Sequence, residues 1–79
     1  MEFTQYFLHT RNRPDRASIQ MSWIESVLEN PEKEEIQADG RIKKWGYIHE
    51  EEKYLRVILL PDGKTIHNAF FDRRFKTKK

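Results

Sequence analysis

The sequence predicts an α+β domain, an N-terminal helical segment packed on a four-stranded antiparallel meander. Three observations carry this. Ile19, Trp23, Ile24, Val27 and Leu28 recur at helical spacing and form one apolar stripe. Tyr54-Leu55-Arg56-Val57-Ile58-Leu59-Leu60 and Lys64-Thr65-Ile66-His67-Asn68-Ala69-Phe70-Phe71 read as strands joined by Pro61-Asp62-Gly63. In that turn proline presets φ and glycine supplies a positive-φ position. Asp39-Gly40 marks another hairpin turn. A lone helix of this length is unstable, so its stripe needs a sheet to cover.

Length and charge bound the rest. A chain of 79 residues is one domain, residues 1–79, with a small core. At this size roughly 60% of the unfolded chain's surface is buried. There is no cysteine, hence no disulfide and no thiolate metal site, which fits a reducing cytosol. No apolar run approaches the ~18 residues of a membrane span and no signal-peptide pattern opens the chain, so the expected location is cytoplasmic. The net charge of +2 comes from 15 Lys and Arg against 13 Asp and Glu, but the signs are segregated. Glu29 to Glu35 is acidic. Arg11, Arg13 and Arg16 form one basic cluster, Arg41, Lys43 and Lys44 a second, and Arg73, Arg74, Lys76, Lys78 and Lys79 a third. A phosphate backbone responds to such local potential, although charge runs are also ordinary solvated surface.

In chain order, Glu2 to His9 reads as irregular or short helical, with Phe3, Phe7 and Leu8 on a helix turn, although Thr4-Gln5-Tyr6-Phe7 also reads as an edge strand. His9 to Arg16 reads as a basic loop in which Pro14 biases Arg13 away from the helical region and Asp15 stands where an N-cap is useful. A helix is expected over Ala17–Glu29, with a restart at Ser22, because Ser22 and Glu25 have capping-box spacing. Asn30-Pro31 ends it. Strands are expected at Glu35–Ala38 and Arg41–His49, before Glu50-Glu51-Glu52 turns into the central hairpin.

Turn lengths suggest registers. A tight turn at Glu51-Glu52 sets Tyr47 opposite Arg56 and Trp45 opposite Ile58. A three-residue Pro61-Asp62-Gly63 loop sets Leu60 opposite Lys64, Arg56 opposite Asn68 and Tyr54 opposite Phe70. Side chains then separate by alternation. One face carries Ile42, Ile48, Leu55, Val57, Leu59, Ala69 and Phe71, with His67 among them, and should take the helix. The other carries Lys43, Trp45, Tyr47, Tyr54, Arg56, Asn68, Phe70 and Asp72.

Aromatic rings interleaved with cations and an amide suit RNA, since bases stack on rings and guanidinium planes while cations hold phosphates. The same face also suits a second layer of the chain or a protein partner. His9, His49 and His67 lack a metal-ligand spacing, so neither metal nor cofactor is expected. No glycine-rich phosphate loop and no nucleophile triad is present. Metal-independent RNA cleavage needs a base for the 2′-hydroxyl, an acid for the leaving oxygen and cations for the transition state. Histidine is the side chain whose ordinary pKa lies in the useful range, which makes His9 and His67 the candidates. His67 also reads as a histidine packed beside the helix, and Asp72-Arg73 as a local salt bridge.

HTRNRPDR, the helix ending in VLENP, then QADGRIKKW and YLRVILLPDGKTIHNAFFDR resemble a group of small bacterial proteins of unassigned function. That group is itself similar to the RelE and BrnT ribonuclease toxins of type II toxin–antitoxin modules. The resemblance implies a RelE/BrnT-like α+β domain with a curved antiparallel sheet, metal-independent endoribonuclease activity, and a cognate antitoxin as partner. The residues that match the recurring pattern are His9, Arg11, Arg13, Arg16, Trp45, Arg56, His67, Asn68, Asp72 and Arg73. The combined expectation is a toxin-like, RNA-binding protein. In it His9 is the general base or acid, and Arg13, Arg16, Arg56 and Arg73 hold the reacting phosphate. Arg11, Lys43, Trp45, Tyr47, Asn68 and Arg74 contact the rest of the RNA, with Trp45 and Tyr47 stacking on bases. The alternative is a non-catalytic interaction module or a homodimer formed through the aromatic face. An architectural DNA binder lacks a recognition helix, because the helix is occupied by its apolar stripe.

Overall fold

The computed structural model describes residues 2–75. Lys76, Lys78 and Lys79 of the closing basic run lie outside the described residues. The fold is α+β. In chain order it contains β1 (Glu2–Phe3), α1 (Gln5–Thr10), α2 (Pro14–Ala17), α3 (Met21–Glu29), β2 (Lys33–Ile36), β3 (Ile42–Ile48), β4 (Lys53–Leu59) and β5 (Thr65–Phe71). The sheet is five-stranded and mixed, in the order β1-β5-β4-β3-β2. The four expected strands run antiparallel in succession, and β1 adds a short parallel edge, Glu2 opposite Thr65 and Phe3 opposite Ile66. The four-stranded antiparallel expectation is corrected at that edge.

The N-terminal stretch is short helical over Gln5–Thr10, as expected, while the edge strand lies at Glu2–Phe3 rather than at residues 4–7. After the two-residue strand, the Thr4 hydroxyl accepts from the Phe7 amide at 3.0 Å and caps α1. The expected basic loop is partly helical. Pro14 opens α2, and Arg13 before it is extended (φ −72°, ψ 140°), as a residue preceding proline should be. The N-cap is therefore Arg13, not Asp15. The helix expected over Ala17–Glu29 with a restart at Ser22 is α3, which starts at Met21 with Gln20 rather than Ser22 at its N-cap, and a break separates it from α2. The break lets Ile19 turn fully into the core.

Phe7, Ile19, Trp23, Ile24 and Val27 from the helical half pack on Ile48, Leu55, Val57, Leu59, Ile66 and Ala69 of the sheet. The approach is closest at Gly46, where an added Cβ would lie 2.9 Å from Val27 Cγ2. A side chain there would lift α3 off β3.

The registers differ from expectation in an instructive way. Across β3 and β4, Tyr47 faces Tyr54 and Trp45 faces Arg56. The loop is His49–Glu52 rather than a two-residue turn, so the register moves by two and the faces are preserved. Across β4 and β5 there are two one-residue shifts. The hairpin loop is four residues, with Leu60 bonded to Thr65 at 2.9 Å. A bulge then follows, with Ile58 opposite Asn68 but Leu59 opposite Ile66. Beyond the bulge the parity is restored, so Asn68, Phe70 and Asp72 share the expected face. Between turn and bulge it is reversed. Ile66, not His67, fills the core, and His67 sits at the bulge with Nδ1 3.2 Å from Thr4 Oγ1 and its ring stacked on Tyr6.

The hairpin turn is held by Asp62, whose carboxylate accepts from the Lys64 and Thr65 amides and the Thr65 hydroxyl. These bonds hold its carboxyl down at about 2, the Thr65 hydroxyl contributing most. At the other edge β2 is fully exposed and carries the charges that protect an unpaired strand, with Glu34 paired to Lys44 at 3.2 Å. Among the described residues no helix is long and apolar enough to cross a membrane.

Candidate nucleic-acid interface

The face of the sheet away from α3 is built by alternation on three neighbouring strands. β3 contributes Trp45 and Tyr47, β4 contributes Tyr54 and Arg56, and β5 contributes Asn68 and Phe70. At its centre is a buried ion pair. Arg56 Nη2 donates to Asp72 Oδ2, which also accepts from Trp45 Nε1 at 3.1 Å, while Asp72 Oδ1 accepts from the Arg74 amide at 3.0 Å. Burial alone pushes the Asp72 carboxyl up. The bonds from Trp45, Arg56 and the Arg74 amide, with the Arg56 charge, outweigh it and hold the group below the usual carboxylate range.

The guanidinium of Arg56 lies between two rings, 5.3 Å from Trp45 and 5.0 Å from Phe70. Its Nε is buried without a partner among the described residues. This corrects the reading of Arg56 as an open phosphate ligand, because its charge is already matched by Asp72 and its faces are covered. Trp45 is likewise only 4% exposed, stacked on Phe75 at 4.8 Å. It is a packing residue rather than an open stacking platform, and a dimer anchored on it loses its anchor. The stacking surface that remains is formed by Tyr47, Tyr54 and Phe75, each half-buried. Tyr47 meets Tyr54 edge-on at 5.1 Å, and Tyr54 meets Phe75 at 4.9 Å.

Beside this face is a cleft of about 400 Å³ lined by Arg16, Ser18, Glu51, Lys53, Phe70, Phe71 and Arg73. Distant parts of the chain supply its cations: α2 gives Arg16, the start of β4 gives Lys53, and the end of β5 leads to Arg73. Two of them each lie over one ring of β5. Arg16 lies 5.2 Å from the Phe70 ring, with Nη1 donating to Asn68 Oδ1 at 2.8 Å, and Lys53 lies 5.5 Å from the Phe71 ring. Three cations against the single carboxylate of Glu51 make the cleft electropositive.

Of the residues singled out from sequence, Arg16, Asn68 and Arg73 converge here, and Tyr47 lies on the adjoining aromatic face. The others do not. His9 is exposed at the end of α1 and does not line the cleft. Arg11 points to Met21 Sδ at 3.5 Å and over the Phe7 ring. Arg13 is exposed ahead of α2, and Lys43 pairs with Glu35 at 3.9 Å. Arg74 contributes its backbone amide to Asp72 while its side chain is exposed. The burial of His67, with a smaller effect from the Arg41 charge, lowers its pKa and favours the neutral ring. Among the described residues no three His, Asp or Glu side chains cluster as a metal site needs.

Sequence reasoning overlooked Lys53 and Phe75. Each had a signal: Lys53 is the cation that directly follows Glu50-Glu51-Glu52, and Phe75 is the one apolar residue in a basic tail. Comparison with family models, with curated proteins and with solved structures finds no match to this chain.

Proposed function

We propose that this protein binds RNA as the toxin-like component of a toxin–antitoxin pair, and that its antitoxin covers the same cleft. The observation that carries the reading is the convergence of Arg16, Lys53 and Arg73 above Phe70 and Phe71. Cations set beside aromatic rings suit a strand of alternating phosphates and bases. The resemblance set out above supplies the toxin and antitoxin part of the proposal.

Cleavage is a separate step in the proposal. Glu51 is the carboxylate within the cleft, and His9 is the exposed imidazole nearest in sequence to the α2 cations. Either would have to reach a 2′-hydroxyl of bound RNA to act as its base.

The test is RNA binding by the purified protein between about 50 and about 200 mM salt. Three cations that each neutralise a phosphate of a single strand give a slope of log K on log salt near −2, about −0.7 per phosphate. Arg73→Ala should reduce that slope by roughly 0.7. Flat salt dependence, or no binding at any salt, contradicts the reading. Incubation of the same RNA with a chelator, using the wild type, His9→Ala and Glu51→Gln, separates a nuclease from a binder.

A further inference from the structure

A second concavity of about 270 Å³ adjoins the basic cleft, and Lys53 and Arg73 line both. Its walls are the rings of Tyr47, Tyr54 and Phe75, and the exposed carboxylate of Glu52 borders it. Asp72 also lines it, but its oxygens are engaged by Trp45, Arg56 and the Arg74 amide. Glu52 has a left-handed backbone, φ +53°, the only such non-glycine residue among those described. That conformation is costly for glutamate and would suit glycine better.

We propose that this notch is a base-binding subsite. One unpaired base of an RNA strand stacks among Tyr47, Tyr54 and Phe75, its exocyclic amine donates to Glu52, and its flanking phosphates rest on Lys53 and Arg73. The proposal rests on the reading of the neighbouring cleft as an RNA-phosphate site.

Size supports it. The notch is below the range of about 300–1,000 Å³ typical of drug-sized ligands, and its ring walls suit one planar heterocycle. Adjacency supports it as well, because a base and its own phosphates must lie side by side, as the aromatic notch and the shared cations do. The Glu52 carboxylate repels phosphate and so sets the strand's orientation, with the base toward the notch and the backbone toward Arg16. A base held in a duplex is stacked and paired and cannot enter, so the site selects single strands. A carboxylate accepts from the amines of cytosine, adenine or guanine, whereas uracil offers an oxygen at the equivalent position.

Fluorescence anisotropy with labelled RNA of about a dozen nucleotides tests this on the full chain. Oligo(C) and oligo(A) are expected to bind several-fold more tightly than oligo(U), and a duplex of the same length roughly tenfold more weakly than either. Tyr47→Ala should weaken single-strand binding roughly tenfold and leave duplex binding unchanged, and Tyr47→Phe should restore it. Glu52→Gly should level the base preference without lowering the melting temperature, because glycine fits the backbone there. Equal binding of single strand and duplex, unaffected by Tyr47→Ala and Glu52→Gly but weakened by Arg73→Ala, overturns the notch and leaves the RNA-binding reading intact. Failure to bind any RNA overturns that reading and the notch with it.

Discussion

The two faces of this sheet are made by the same strands and solve opposite problems. On one, Leu55, Val57, Leu59, Ile66 and Ala69 are buried under the helices, and burial of apolar area does the work. On the other, the buried centre is charged. Arg56 and Asp72 are stabilised only because Trp45, Phe70 and the Arg74 amide complete their partners. The second holds its shape through a polar network that also brings Arg73 and Phe75 back over the sheet. The difference teaches where function can be placed: the helix-covered face is spent on stability, and the network leaves cations and rings exposed beside it.

The largest expected effect is on the covered face. Leu55 is fully buried, and Leu55→Ala should cost about 3 kcal/mol. For a domain of this size that lowers the melting temperature by about 15 °C or more, measurable by circular dichroism. RNA affinity per folded molecule should not change. A parallel loss of affinity would break the separation of the two faces.

Next is the ion pair. Asp72→Leu leaves a guanidinium between two rings without its counter-charge. Removing one partner of a buried pair costs 3–5 kcal/mol as a rule, but the Arg56 side chain keeps 25% exposure, so about 2 kcal/mol is expected. Arg56→Met combined with Asp72→Leu should be more stable than Asp72→Leu alone, because no unpaired charge remains. A double variant as unstable as both losses added together would show that the pair is not the unit that holds this face.

The smallest effect is the pH response of His67. Its folded pKa lies below the ordinary 6.5, chiefly through burial. The unfolded chain therefore binds more protons between the two values. The stability from neutral His67 is fully present above about pH 6.5 and is lost as pH falls through the folded value. His67→Asn should flatten the melting temperature across that window. An unchanged slope assigns the dependence to another group.

Sequence reading recovered which residues share a face more reliably than which residues are neighbours. Alternation has a period of two, so the two-residue slip at Tyr47 and Tyr54 left both faces intact. The hairpin loop and the β5 bulge each moved the register by one in the same direction, so beyond the bulge the slip is two and the faces are restored, while Ile66 and His67 are left exchanged. A bulge has no reliable signal in one sequence, so His67 was placed in a core that Ile66 occupies. The aromatic face was legible as a set of residues. Its burial was not, because Asp72 read as a local partner of Arg73, and Arg73 and Arg74 as the start of a basic tail. Only the tertiary pairing of Asp72 with Arg56 and Trp45 turns that tail back and removes Trp45 and Arg56 from the accessible set. His9 was favoured for its chemistry and its basic neighbours, but of those neighbours only Arg16 lines the cleft, and His9 itself does not.

The most direct test of the account is amide chemical-shift mapping of the folded protein titrated with a short single-stranded RNA. Shifts should concentrate at Arg16, Lys53, Tyr54, Phe70 and Arg73, and leave Trp23, Ile24 and Val27 of α3 in place. Shifts centred instead on the exposed Tyr6 and Leu8 of α1, or no shifts at saturating RNA, would contradict the claim that the functional surface is the face the helices leave open.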